Sequence, residues 1–419
     1  MQNPVYLPLS ECAGRGGAWH SRVNLPRATD ILVVGAGAIG SFAALHLARA
    51  GREVTVLERK VPGVEASGTN AGSLGAQNKP VRLGALSLDA IDAWQAFEQE
   101  HETGLDAGYH RTGGFRVAES DAGVARLQEI AAAQIAVGVP IEHIDGDEAR
   151  RRAPYLSDTV IAANYCPLDG HNNALVAPAL VALAARRAGA AIVNGVTVEK
   201  IEGNSPGGFT VRTTRGKIEC RQLILSAGVW SRDFLVAAGV DLPVVLRINQ
   251  MMVTEAAPPI LEHVVFHVDG HLTLKQVHPA MSCLVGGGWP GGGDYRRGHK
   301  ETLLASTLGN AAVALRIVPA LAKLRVLRSW SGFDWRTTDQ MPVIGEVPGR
   351  SGMFVCTSCF GGYTLSPLLG RGLAQIATSG ALPADLQEFS PTDTLARLAQ
   401  DSLEAALRAE PVAAAATLP

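Results

Sequence analysis

Two rhythms of hydrophobic residues alternate along this 419-residue chain: short unbroken apolar runs that end in glycine, and longer amphipathic stretches of helical period between them. The first run, I-L-V-V at 31–34, is β-branched and uninterrupted, the pattern of a strand covered on both faces. Glycines at 35, 37 and 40 follow it directly. The pattern then predicts a helix over 41–50 closed by Gly51, and a second strand over 53–57 that runs into Glu58. A small-residue loop, A-S-G-T-N-A-G-S at 66–73, leads to a predicted helix at 83–100. As a bare string it reads either as a close-packing loop or as a flexible linker.

Farther along, 109–119 alternates like a strand around Gly113 and Gly114, and 122–138 reads as an amphipathic helix. The turn C-P-L-D-G-H at 166–171 brings the chain back. A helix near 174–188 and strands at 191–193, 196–201, 209–213 and 217–220 follow, then a buried run, L-I-L-S-A-G-V-W, at 223–230. Strands around 247–254, 263–267, 271–276 and 282–286 predict an antiparallel sheet forming the floor of a second domain. A short strand at 353–356, a helix at 365–379 and a helical tail from 393 complete the reading. No internal repeat is present.

Size and composition narrow the possibilities. A chain this long exceeds one typical core, so two domains are expected. Hydrophobic residues make up 47% and charged residues 18%, a globular balance, and a net charge of −2 offers no basic stripe for nucleic acid. No apolar run reaches the ~18 residues of a membrane span, and 1–28 lacks a signal-peptide core, so a soluble cytoplasmic protein is expected. Six cysteines in this length imply reduced thiols, not a disulfide scaffold.

Strand, G-x-G-x-x-G, helix, strand and acid, in that order, form a dinucleotide-binding βαβ unit. Gly35 permits the tight turn, Gly37 admits a pyrophosphate close to backbone, and Gly40 lets the helix press on the sheet. The helix start offers free N–H groups and its positive dipole end to phosphate. Glu58 is placed to accept from a ribose 2′-OH, which favours a non-phosphorylated adenine dinucleotide; the motif alone leaves FAD and NAD open.

Several dispersed segments in fixed order, G-A-G-A-I-G with Glu58, A-S-G-T-N-A-G, C-P-L-D-G-H, L-S-A-G-V-W, D-Q-M-P-V-I-G at 339–345 and C-F-G-G-Y-T-L-S-P, make residues 30–390 resemble the D-amino-acid oxidase family of FAD-dependent amine oxidoreductases. Within it, N-A-G-S-L at 70–74, L-T-L-K-Q at 272–276 and G-G-G-W-P at 286–290 are similar to the flavoprotein subunit of hetero-oligomeric opine oxidases. The resemblance implies an α/β, Rossmann-like FAD-binding domain (29–105, 165–240 and 336–390). An antiparallel-sheet substrate domain (106–164 and 241–335) would be inserted discontinuously, between an N-terminal extension (1–28) and a C-terminal tail (391–419). It further implies FAD bound without a covalent link. The pyrophosphate would lie on Gly35, Gly37, Ala38, Ile39 and Gly40, and the adenosine by Glu58, Arg59 and Val198. The remaining contacts would come from Ser67, Asn70, Ala71, Gly72 and Ser73 in the loop, from Ala227, Gly228 and Trp230, and from Gly361, Gly362, Tyr363 and Thr364 at a helix start facing the flavin. FMN or an iron–sulfur cluster would reside on partner subunits, and the substrate would be an amino acid or opine.

One departure bears on substrate. Many family members place an arginine after W-x-G-L to hold the substrate carboxylate; here Trp330-Ser331-Gly332-Phe333 is followed by Asp334. Either Arg336, Arg116 or Arg247 takes over, or Asp334 reads a cationic arm, or it pairs locally. Asp334, Arg336, Gly362 and Tyr363 are the candidate catalytic residues. Cys356 and Cys359 form a C-x-x-C without a second pair, which favours buried thiols over a metal site. His263, His267 and His271 sit on strand and turn; the last two either face the active site or are structural. A nicotinamide dehydrogenase and a flavin-bearing subunit without turnover are the competing readings.

Overall fold

Two of the glycines after the first strand are enforced by contact. A Cβ on Gly35, whose φ is +101°, would lie 2.4 Å from the carbonyl oxygen of Ser226, and one on Gly40 would lie 2.1 Å from that of Gly35. The chain can therefore turn sharply from the strand Ala28–Val34 into the helix Ala38–Arg49. The helix starts three residues before the apolar period predicts, directly after Gly37, whose extended backbone (ψ 177°) serves as an N-cap without a side-chain hydrogen bond. The computed structural model of the protein describes residues 24–100, 107–203, 207–357 and 360–400. The expected extension at 1–28 falls largely, and the tail beyond 400 wholly, outside the described residues.

Ala28–Val34 sits at the centre of an eight-stranded sheet in the order Val343–Glu346, Met353–Thr357, Gly216–Leu225, Ala28–Val34, Val54–Glu58, Ala191–Asn194. The inner pairings are parallel, as βαβ crossovers require, and Val343–Glu346 runs antiparallel at the edge. A hairpin of Val198–Gly203 and Phe209–Thr213 extends from Gly216–Leu225. Both faces of the inner strands are apolar: Ile31, Leu32 and Val33 are fully buried, with Ile31 and Val33 facing one core and Leu32 the other.

The second eight-stranded sheet runs Val326–Thr337, Val244–Ala256, Ser282–Gly286, Thr273–Val277, Val264–His267, Gly114–Ala118, Ala162–Cys166, Glu142–Asp145. It is antiparallel throughout except where Val264–His267 lies parallel to Gly114–Ala118, because two excursions of the chain meet side by side. Val326–Thr337 continues the sheet well past residue 330, and the helix Leu304–Ile317 lies beneath it. Apolar periodicity revealed neither: the helix lacks a capping side chain and carries exposed leucines, and the strand is interrupted by Arg328, Ser329 and Ser331.

Between the sheets lies the small-residue loop, which folds into a helical turn at Ala66–Thr69 and a two-stranded ribbon of Ser73–Leu74 with Gly170–His171. A Cβ on Gly332 would strike the Thr69 side chain at 2.2 Å, and the Trp330 indole N–H donates to the Thr69 carbonyl at 2.9 Å. The second sheet thus closes directly over the loop.

The helix Gly362–Ser379 crosses Ala38–Arg49 through Gly370, where a Cβ would lie 2.3 Å from that of Phe42. Phe42, Trp94 and Phe97 form an edge-to-face cluster with centroids 5.1–6.2 Å apart, and Trp94 stacks on Tyr363 at 5.4 Å. Replacing Gly370 by leucine forces the two helices apart and is expected to cost about 1–3 kcal/mol, as overpacking does. Chemical denaturation checks this against the control Arg371→Ala, a change at an exposed position of the same helix. An unchanged midpoint for Gly370→Leu counts against the close crossing.

Candidate active site

The glycine turn, the loop and the start of the Gly362–Ser379 helix open onto one continuous cavity of about 2490 Å3 between the two sheets. At the end beside the glycine turn lie Gly35, Gly37, Ala38 and Ile39, followed by Glu58, Arg59, Val198, Ala227, Gly228 and Trp230. Gly40 stands behind the wall, pressed on Gly35. Glu58 is aimed by backbone: one oxygen accepts from the Ala36 N–H at 2.9 Å and the other from the Lys60 N–H at 2.8 Å. Burial raises its pKa, and those two hydrogen bonds oppose the rise. The Arg59 guanidinium lies 3.8 Å from the centroid of the Trp230 ring and reaches Glu65 at 3.1 Å.

Loop geometry is set by short polar side chains. Ser67 Oγ accepts from the Ala38 N–H at 2.9 Å, so the loop is fastened to the start of the first helix. Asn70 Oδ1 accepts from the Gly72 N–H at 2.6 Å while its amide donates to the carbonyls of Ala66 and Ser67. Asn70, Ala71 and Ser73 line the cavity; Gly72 faces the Asn172 carbonyl instead.

Gly361, at φ +84°, and Gly362, Tyr363 and Thr364 bring a helix N-terminus without a capping side chain to the other end of the cavity. That end has room for an electron-rich ring edge, whose negative charge the dipole would stabilise. Tyr363 is partly buried, donates to Asn172 Oδ1 at 2.7 Å, and has its pKa raised by burial. Its phenol therefore acts as a prop for the helix start, together with Trp94, whose indole donates to the Thr364 carbonyl at 3.1 Å.

Opposite the helix start, Arg247, Asn249, Asp334 and Arg336 share one face of the paired strands Val244–Ala256 and Val326–Thr337, with Arg247 directly across from Asp334. Asp334 Oδ2 accepts from Asn249 at 2.9 Å and from Arg336 Nε at 2.7 Å, and Arg336 Nη2 lies 2.5 Å away. Local pairing is thus present. The Arg336 guanidinium lies 4.5 Å from the centroid of the Phe360 ring, and the Lys79 ammonium 5.6 Å from the same centroid. Burial, followed by the charge of Arg336, lowers the pKa of Arg247.

The other candidates separate. His267 and His271 line the cavity, His267 within 3.4 Å of Glu119; His263 packs among Phe115, Tyr155 and Tyr165. Cys356 is buried in the strand Met353–Thr357 and borders the cavity, while Cys359 lies outside the described residues. Among the described residues no group of three or more metal-ligating side chains converges, and no helix is long and apolar enough to cross a membrane.

The sequence reading passed over Lys79, Asn249 and Lys275. Lys275 is 1% exposed, donates to the Asn172 carbonyl at 2.6 Å, and lies where a Cβ on Gly72 would come within 2.9 Å of its ammonium. The strand Thr273–Val277 is buried on both faces from Leu274 to Val277, and no local pattern sets this lysine apart.

Comparison with known proteins gives this architecture a family. The model for FAD dependent oxidoreductases of the DAO family matches residues 30–376. Glycine oxidase from Geobacillus kaustophilus is 28% identical over 370 residues, covering 87% of this chain and 96% of that protein. An opine oxidase subunit from Rhizobium meliloti is 28% identical over 379 residues, covering 86% and 96%. The crystal structure of the Geobacillus kaustophilus glycine oxidase superposes with a TM-score of 0.81 at 27% identity over 87% of this chain and 98% of that one. L-proline dehydrogenase from P. horikoshii has the same fold, with a TM-score of 0.81 at 23% identity, covering 89% and 99%. The chain belongs to the DAO family and is an FAD-dependent oxidoreductase.

Burial pulls the Lys275 pKa down to about 7. Between that value and the ordinary lysine range the unfolded chain binds more protons than the folded one, so this group makes stability rise with pH across that window. Lys275→Met is expected to flatten the rise in melting temperature between about pH 7 and pH 10; an unchanged slope would show that the lysine does not titrate there.

Proposed function

We propose that this protein oxidises the Cα–N bond of a secondary or D-configured amino acid, opine-type substrates being favoured, and releases a keto acid and an amine. The observation that carries the reading is the guanidinium pair Arg247 and Arg336, set on one strand face opposite the helix start at Gly361 within the cavity that begins at the dinucleotide turn. FAD fits that cavity from the residues present. Gly35, Gly37, Ala38 and Ile39 would hold its pyrophosphate, Glu58 its ribose, and the Gly361–Thr364 turn the pyrimidine edge of its ring. When bound it supplies a hydride acceptor.

The protein's own contribution is placement. Arg336, oriented by Asp334 and stacked on Phe360, presents its remaining N–H groups to a substrate carboxylate. This arrangement favours the reading in which an arginine elsewhere replaces the family's carboxylate anchor over the one in which Asp334 reads a cationic arm, since that arm would have to displace Arg336. Tyr363 is a positioning residue. Enclosure between the sheets would favour the neutral amine and hold it near its acceptor, so geometry supplies most of the rate; the imine left by hydride loss is then hydrolysed by water to the keto acid and amine. The similarity to the Rhizobium meliloti opine oxidase subunit supports a chain that works beside partner subunits.

Three measurements test this reading. Acid precipitation should release intact FAD from yellow protein; flavin left in the pellet would contradict non-covalent binding. Gly37→Val should abolish flavin retention, because its branches would enter the pyrophosphate path and press on Ser67 Oγ, already 3.1 Å from an ideal Cβ. Anaerobic flavin bleaching across secondary and D-amino acids should identify substrates, and Arg336→Lys should raise their KM by about ten- to hundredfold at unchanged flavin content, the loss expected for a bidentate charge-assisted pair. Bleaching by no amine at all would favour a flavin-bearing subunit without turnover.

A further inference from the structure

A short hairpin leaves the second sheet and fastens to the elements around the glycine turn. Its strands, Gly292–Asp294 and His299–Glu301, pair only with each other among the described residues. Its base is tied to the second sheet: the Gly291 N–H donates to the Ile248 carbonyl at 2.7 Å, the Ser331 hydroxyl to the Glu301 carbonyl at 2.8 Å, and the Leu303 N–H to Gln250 Oε1 at 2.8 Å. The two strands approach too closely for a side chain at Gly293, where φ is +140° and a Cβ would lie 2.2 Å from the His299 carbonyl oxygen. Arg296, Arg297 and His299 are exposed, whereas Tyr295 packs against the core beneath Leu32 and Lys300 reaches Glu65.

Both inward residues make their contacts at the end of the cavity beside the glycine turn. The Tyr295 carbonyl accepts from the Trp230 indole at 3.0 Å, and its hydroxyl donates to Asp233 at 3.2 Å. The Lys300 ammonium pairs with Glu65 and lies 5.0 Å from the centroid of the Phe333 ring, which stands edge-on to Trp230 at 5.6 Å. Glu65, Trp230, Asp233 and Phe333 all line the cavity. Arg59 pairs with Glu65 and stacks on Trp230, so the contacts close into a cycle: Arg59 to Trp230, Trp230 to Tyr295, along the hairpin to Lys300, Lys300 to Glu65, and Glu65 back to Arg59. That cycle lies one residue from Glu58, and the hairpin is the part of it rooted in the second sheet.

Glu65 has no need of Lys300 for its own compensation, since Arg59 and Lys60, its neighbours in the same loop, already answer the carboxylate. What the third cation adds is a tie across the cavity. Burial raises the Glu65 pKa, but hydrogen bonds from Lys300 and Lys60 outweigh it and hold the carboxyl below its usual range, so the tie is ionised at neutral pH. The Lys300 and Glu65 side chains are only 18% and 20% exposed, and a pair shielded to that degree keeps more of its attraction than one in open solvent.

We propose that the hairpin is a clasp on the cofactor: closed, it holds the Glu65 loop and Trp230 against the dinucleotide, and release of FAD requires Lys300 to part from Glu65. The inference rests on the placement of FAD given above and adds a positioning residue to it. Retention is then set in part by a segment that carries no dinucleotide motif and belongs to the sheet bearing Arg336.

The test follows FAD release from holoenzyme by the rise in flavin fluorescence after dilution into flavin-free buffer. Lys300→Met is expected to release FAD about tenfold faster, the loss of one partly shielded ion pair. Lys300→Arg, which keeps the charge, should restore most of the retention, and Arg297→Ala, at an exposed position of the same hairpin, should leave it unchanged. In the double variant Glu65→Gln, Lys300→Met, release should be no faster than in Glu65→Gln alone, because both changes break one pair. Multiplied effects would place the action of Lys300 elsewhere and overturn the proposal. The melting temperature of the apoprotein is read in parallel: faster release that comes with a lowered melting temperature and is not reversed by Lys300→Arg marks general loosening, which also overturns it. Gly37→Val separates the clasp from the reading beneath it. Flavin kept by that variant removes the placement of FAD and the clasp together, whereas flavin lost by it, with wild-type release from Lys300→Met, overturns the clasp alone.

Discussion

Backbone packed on backbone is the constraint from which this site follows. Where the first strand turns into the first helix, Gly40 rests on the Gly35 carbonyl and Gly35 on that of Ser226, at separations that exclude any side chain. Helix and sheet consequently approach as closely as the main chain permits, and the start of the helix borders the cavity. The neighbouring parts are fixed from that point outward. Ser67 ties the loop to the helix start, Thr69 receives Trp330 from the second sheet, and that sheet is thereby brought over the cavity with its two arginines inward.

The second helix start is held by other forces. Gly362–Ser379 follows the strand Met353–Thr357 through Gly361, and side chains hold its first turn: Trp94 stacks on Tyr363 and donates to the Thr364 carbonyl, while the phenol of Tyr363 is anchored on Asn172. An indole, a phenol and an amide thus take the place of the backbone contacts that position the first helix. The two ends of one cavity are built by different chemistry for the same purpose, which is to bring a helix start to the cavity.

How much of this was legible depended on whether a residue's reason was local. The βαβ unit could be read because its glycines, apolar run and Glu58 each answer a neighbour close in sequence, and the loop at 66–73 because its small residues stand together. The helix at Leu304–Ile317 could not, since its burial is decided by a sheet distant in sequence, and Leu304 and Leu308 stay exposed. Lys79 and Asn249 were invisible for a similar reason: a lysine beside a proline and an asparagine in a strand gain meaning only when Phe360 and Asp334 are brought to them. The parallel pair in the second sheet arises from two excursions of the chain meeting, which no local pattern records. Asp334 was visible as a departure and Arg336, two residues on, as one of three arginines that could take over; the pleat that points both to one face is what pairs them.

That pleat has an evolutionary consequence. Residues 334 and 336 share a face of one strand, and two residues of strand span about 7 Å. Moving a guanidinium from the first position to the second displaces the carboxylate it holds by about that distance while register, core and cofactor cradle stay as they are. A lineage can therefore slide the substrate along its cofactor in steps of one pleat, exploring longer or branched amines by exchanging two cavity-side residues of a single strand, without passing through an unstable intermediate fold.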